Sequence, residues 1–163
     1  MDDPPPVKIK TLPAAAKAAG CTVSHPPDQG VEHAEREFTA ADYNSNPPTS
    51  GTHFPSWYED GIYAPGTTPE LGRLVHSLEH GRIEIQYSPG TPAETVGRLE
   101  KLVDELDGGY HILLFENATE MPYEIAATAW GHLLGCPGMN DEVYDALRAF
   151  TGDYVDKGPE TVP

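Results

Sequence analysis

From Asn44 to Thr67 the chain reads NSNPPTSGTHFPSWYEDGIYAPGT, with four prolines and three glycines. Proline lacks the amide hydrogen that a helix interior or an inner strand needs, and it also restricts the residue before it. No regular element can run through such a stretch, so the chain must fold around a long irregular connection. Loops of this length inside a compact domain are either functional or disordered. Phe54, Trp57, Tyr58 and Tyr63 make this one too aromatic for disorder. It is read as an ordered loop lying over a core that the flanking segments supply.

Beyond the loop the patterning is regular. Thr68 can cap a helix, Pro69 suits its first position, Glu70 favours the positive end, and Gly81 stops it. RIEIQY alternates Ile83, Ile85 and Tyr87 against Arg82, Glu84 and Gln86, the pattern of a half-buried strand. TPAE, Thr91 to Glu94, is a capping box ahead of Val96, Leu99, Leu102, Val103 and Leu106 at helical spacing. HILLF reads as a buried strand and YEIAATAWGHLLG as a strand broken near Gly131. Asn140 caps a last helix with Val143, Tyr144, Leu147 and Phe150 inward. Ahead of the loop, one or two strands are expected between Val31 and Tyr43. LPAAAKAAG can form a short helix ending at Gly20. The sum is an α+β fold, helices packed on a largely antiparallel sheet, with the Pro/Gly/aromatic loop across it. Residues 1–20 are set apart as a flexible N-terminal tail and 21–163 as a single domain, a size that supports one core.

Ten basic residues against 26 acidic ones give a formal charge of −16. Nucleic acid and anionic membranes need a basic surface, so neither is an expected partner. No apolar run approaches the roughly 20 residues of a membrane span. The opening MDDPPPVKIK is polar and lacks a signal peptide's apolar region. It is read as the cut end of an exported or membrane-anchored protein whose export segment was removed.

Cys21 and Cys136 are far apart and form no CxxC pair, so neither a zinc knuckle nor a thioredoxin motif is indicated. They either remain free thiols or form a disulfide pinning the N-terminal segment to the distal half. The disulfide reading is taken. It implies an oxidising compartment, and closing a loop of about 100 residues stabilises by roughly 4 kcal/mol in the chain-entropy model.

LVHSLEHG places His76 and His80 four apart, with Glu79 between them. Residues at that spacing have Cβ atoms about 5–6 Å apart on a helix, so both rings can reach one ion. Leu71, Leu74, Val75 and Leu78 form the apolar stripe, and the two histidines lie roughly opposite it. They face solvent unless another segment roofs them. The loop before the helix is the natural roof, and it carries His53. His33 is the candidate fourth ligand. His25 reads as a surface residue, and His111 and His132 as structural ones.

NPPTSGTHFPSW, DGIY, LVHSLEHG followed by a strand, MPYEIAATAWGHLLGC and DKGPE together resemble the bacterial family DUF3105, over the chain from Gly20 onward. The resemblance implies a domain that is exported or anchored by one N-terminal helix, placed outside the cytoplasm. It puts the family's histidine pattern on His33, His53, His76 and His80. It implies no activity.

An imidazole-only set suits copper, zinc or nickel rather than magnesium or calcium. With neither thiolate nor an evident carboxylate ligand, copper is favoured over zinc, for copper binding or handling or for copper-dependent redox chemistry. Met121 could add a weak axial sulfur. The rival is a zinc-dependent hydrolase: HSLEH satisfies H-x-x-E-H, with Glu79 as general base and Glu142, which nothing in the sequence marks, as a candidate downstream carboxylate. In the copper reading, Glu79 instead orients a ligand or pairs with Arg73 or Arg82. A third reading is a non-metal interaction module using Trp57, Tyr58 and Tyr63. The Asn117 sequon carries no functional weight.

Overall fold

The computed structural model describes residues 2–163. The elements are α1 (Leu12–Ala19), β1 (Thr22–Ser24), β2 (Gly61–Ile62), α2 (Leu71–Glu79), β3 (Ile83–Tyr87), α3 (Ala93–Glu105), β4 (Ile112–Glu116), β5 (Ile125–Ala129), β6 (His132–Cys136) and α4 (Asp141–Tyr154). The strands form one sheet in the order β1-β6-β5-β3-β4-β2. The β1–β6, β6–β5 and β5–β3 pairs are antiparallel. The β3–β4 and β4–β2 pairs are parallel, with α3 making the crossover between β3 and β4. The α+β architecture expected from the sequence is the one observed.

Alternation along each strand divides the sheet into two unlike faces. Ile83, Ile85 and Tyr87 of β3, Ile112 and Leu114 of β4, and Ile125 and Ala127 of β5 share one apolar core with α1, α3 and α4. Leu12, Ala15, Ala16 and Ala19 of α1 are buried in that core, so residues 12–19 pack within the body of the protein. The opposite face is covered by α2 and the long loop. Leu113 and Phe115 meet Leu74 there, with Tyr58 and Tyr63 packed on them. Glu84, Gln86 and Thr128 point to the same side and are also buried. β3 is therefore buried on both faces, not half-buried, because the loop supplies a roof that alternation alone cannot reveal.

Several boundaries shift for identifiable reasons. α2 begins at Leu71, after Glu70, rather than at Pro69 with Thr68 as its cap, because the Thr68 hydroxyl donates to the Glu116 carbonyl at 2.7 Å and ties the chain to the end of β4. Thr91 does not complete a capping box: its hydroxyl donates to the Ser88 carbonyl at 2.7 Å, and Pro92 takes the N-cap position. YEIAATAWGHLLG is two strands, β5 and β6, turning at Trp130 and Gly131, where Gly131 has φ 78°. No strand forms between Val31 and Tyr43. That segment makes a single bridge at His33 and a 3-10 turn at Ala40–Asp42, closed by the Thr39 N–H donating to Asp42 at 2.7 Å.

Cys21 and Cys136 are bonded, 115 residues apart in sequence, and no free cysteine remains among the described residues. The bond supports an oxidising, extracytoplasmic setting. Among the described residues no helix is long and apolar enough to cross a membrane. α4 starts as expected, with Asn140 Oδ1 accepting from the Glu142 N–H at 3.1 Å. The Asn140 side-chain amide also donates to the Ala19 carbonyl at 2.8 Å, joining the start of α4 to the end of α1. Asn140→Ala should therefore cost about 1–2 kcal/mol, a cap plus an inter-helix bond, measured by chemical denaturation. A loss below ~0.3 kcal/mol would show that water replaces both.

Candidate metal centre

Two pieces of backbone bring the imidazoles together. Residues 30–34 run beside 51–53: Gly51 N–H donates to the Gly30 carbonyl at 3.1 Å, His53 N–H to Glu32 at 2.9 Å, and Ala34 N–H to His53 at 2.8 Å. This parallel bridge sets His33 next to His53. The loop then locks onto α2. Phe54 N–H donates to the Gly72 carbonyl at 3.1 Å, and the Ser77 hydroxyl donates to the Tyr58 carbonyl at 2.8 Å. The loop is thus the roof that the sequence called for, and His76, Glu79 and His80 are all buried beneath it.

The donor atoms converge on Glu79. Its Oε1 lies 3.3 Å from His33 Nε2, 3.3 Å from His53 Nε2 and 3.7 Å from His76 Nε2. All four groups can present a ligand atom within 4.8 Å of one another, so the cluster can hold a metal ion. Ligands at about 2.0–2.1 Å around a four-coordinate ion stand about 3.3–3.4 Å apart, and two of these edges already have that length.

Which nitrogen carries each proton decides what the cluster presents. His53 Nδ1 lies 2.7 Å from the Gly51 carbonyl, and His76 Nδ1 lies 2.7 Å from the Phe54 carbonyl. A carbonyl only accepts, so both Nδ1 atoms carry hydrogen and, in the neutral rings, both Nε2 atoms present bare lone pairs to Glu79. His53 is fully buried, and burial holds its pKa below the ordinary imidazole value despite the Gly51 carbonyl and the Glu79 charge. Lone pairs and a carboxylate oxygen thus meet in a buried space that favours a cation. Gly51 sits at φ 113°, and a Cβ there would meet the Tyr43 ring at 3.1 Å, so glycine suits the turn that aims this carbonyl.

The remaining candidates fall elsewhere. His80 Nε2 is 3.1 Å from His76 Nε2 and 3.4 Å from Glu160 Oε2, placing it in a second group with Glu79 and Glu160. Burial, with His76 and Arg82 adding to it, pushes its pKa down to about 4. Its Nδ1 is buried without a hydrogen-bond partner. Met121 packs with Ala126 and Leu133 in a separate cluster, its N–H on Asn117, and is not gathered with the imidazoles. His25 and His132 contact each other through Nδ1 at 2.8 Å, and His111 Nδ1 bonds Asp156 at 2.6 Å. Trp57 stays 44% exposed, with its ring 4.8 Å from His80 and 5.3 Å from His76. Arg73 pairs with Glu70, and Arg82 donates to the carbonyls of His80 and Val162, so neither arginine takes Glu79.

The sequence missed two acidic contributors. Beyond orienting a ligand, pairing with an arginine or acting as a base, Glu79 places its Oε1 3.3, 3.3 and 3.7 Å from three imidazole nitrogens, among the candidate donors. Glu160 ends the DKGPE motif, but nothing in the sequence assigns it to the site; it arrives from the C-terminal segment, where its N–H donates to the Glu79 carbonyl at 3.0 Å.

No curated protein and no solved structure matches the chain. A family model does, that of a protein of unknown function, DUF3105, over residues 34–162. The match starts later than Gly20 and one residue after His33, so His53, His76, Glu79, His80 and Glu160 lie inside it and His33 outside. It spans most of the 163 residues, and the chain belongs to the DUF3105 family.

Proposed function

We propose that this is an extracytoplasmic metal-binding protein that holds one divalent transition-metal ion through His53, His76, His33 and Glu79. The observation that supports it most is the pair of backbone carbonyls on the Nδ1 atoms of His53 and His76, which turn two lone pairs toward one carboxylate. Copper(II) is the first occupant of this reading, for copper binding and handling or for copper-dependent redox chemistry. A nitrogen-rich set ranks it above its neighbours in the Irving–Williams order. Zinc(II) is the second, favoured by the 3.3 Å spacings that match a tetrahedral shell and by the carboxylate in the set.

The hydrolase reading needs Glu79 free to take a proton from water. Its oxygen instead contacts three imidazole nitrogens, the position of a ligand. Glu142 opens α4, which packs on the other face of the sheet, away from α2. The interaction reading loses Tyr58 and Tyr63, which pack on Leu74, Leu113 and Phe115.

The test is calorimetric titration of tag-free, chelator-stripped protein with Cu(II) and with Zn(II). One equivalent should bind with submicromolar Kd. Binding of both ions weaker than micromolar would remove the proposal. Because burial holds the His53 pKa below the ordinary imidazole value of about 6.5, protons should compete with the ion for that ring only below it, and affinity should fall as pH falls.

A further inference from the structure

The sheet face beneath α2 holds a second feature that the metal centre does not use. A cavity of about 430 Å³ opens beside the first turns of α2 and shares no lining residue with the histidine cluster. Its walls are apolar, from Phe38, Leu71, Leu74 and Phe115. Glu84 of β3 lines it while only 2% exposed, and its Oε2 has no hydrogen-bond partner. The two amides beside it are already engaged: Gln86 Oε1 accepts from Asn117 Nδ2 at 2.7 Å, and Asn117 Oδ1 accepts from the Thr119 N–H at 2.9 Å. Glu84 Oε2 is the buried side-chain atom of this lining that has no partner.

We propose that this cavity binds a small organic cation, an amine with an apolar body, whose ammonium pairs with Glu84. Three features single out that class. The lining contains no lysine, arginine or histidine that could neutralise Glu84. Glu120, exposed at the lining's edge, adds negative potential where a ligand would enter, while Glu70 beside it is paired with Arg73. The apolar walls match a hydrocarbon or aromatic body, as in most small-molecule sites, where a few polar groups fix orientation. Burial without a partner pushes the Glu84 pKa well above its ordinary value and so favours the neutral acid until a cation pairs with it. An arriving ammonium favours the carboxylate, and the Glu84 proton leaves to solvent. An anionic ligand would meet Glu84 and Glu120 with no base in the lining, and a neutral one would gain no ion pair with Glu84.

The probe is 2-phenylethylamine, with 2-phenylethanol as its uncharged counterpart, each titrated by calorimetry into the full chain. The amine should bind at least ~10-fold tighter than the alcohol. Glu84→Gln keeps the shape of the side chain and removes the charge, and it should abolish that preference. Leu74→Phe, which narrows the cavity, should weaken both compounds. Thermal unfolding of each variant, run alongside, establishes that it is folded. Equal affinity of wild type for amine and alcohol, no binding of the amine at millimolar concentration, or an unchanged preference in folded Glu84→Gln would each overturn the proposal.

Discussion

His53→Ala should lower affinity for the bound ion by at least ~100-fold. Removing a group that only orients a metal ligand costs about 10–100-fold, and removing a ligand should reach the upper end or beyond. His53 is the strongest case in the cluster. It is fully buried, its ring is fixed at Nδ1 by the Gly51 carbonyl, and its Nε2 stands 3.3 Å from Glu79. His76→Ala should behave alike, since the Phe54 carbonyl fixes that ring in the same way. His80→Ala should lose less than His53→Ala, about 10-fold, because His80 contacts His76 and Glu160 and lies outside the four-donor group. Competition titration against a chelator of known affinity measures all three. Wild-type binding by His53→Ala would mean that the ion, if bound, sits elsewhere.

Opening the Cys21–Cys136 bond should cost about 4–5 kcal/mol of folding stability, from the loop-closure entropy of a 115-residue separation. The bond joins the chain just before β1 to the end of β6, and Cys136 is fully buried within the main core. Denaturant unfolding of the oxidised protein, compared with Cys21→Ser/Cys136→Ser, gives the difference directly. The variant should also show a larger m-value, because its unfolded chain is no longer held compact. A loss under ~1 kcal/mol would show that the packing of α1 on α4 holds the N-terminal segment without help.

Much of the fold is legible because its signals are local. The apolar spacing of α3 and α4, the Asn140 cap, and the alternation of RIEIQY all describe neighbours a few residues apart. What the sequence hid depends on segments meeting from a distance. Glu84 and Gln86 read as solvent-facing because polar residues alternating with isoleucine normally are, yet the loop and α2 bury them. Val31 to Tyr43 read as strand from composition, but its only pairing is with His53, which ends after one bridge. The histidine pair and its roof were visible as spacing plus a turn-rich loop carrying His53. The place of Glu79 was not. Helical spacing puts it beside His76, while only the long-range bridge at His33 shows that two further imidazoles arrive at the same oxygen. Met121, a candidate axial sulfur because of its chemistry and its place in a turn, packs with Ala126 and Leu133.

The protons of His53 and His76 are placed by main-chain carbonyls, those of Gly51 and Phe54, rather than by neighbouring side chains. Many metal sites assign this task to an aspartate or glutamate, which a single substitution can delete. Here there is no such residue to exchange. The donor state of both rings is a property of the path the loop takes, so it is inherited whole with that path and vanishes only when the path is redrawn. In the proposed metal centre, ligand basicity would be adjusted through the backbone between Gly51 and Phe54 rather than by swapping an orienting carboxylate.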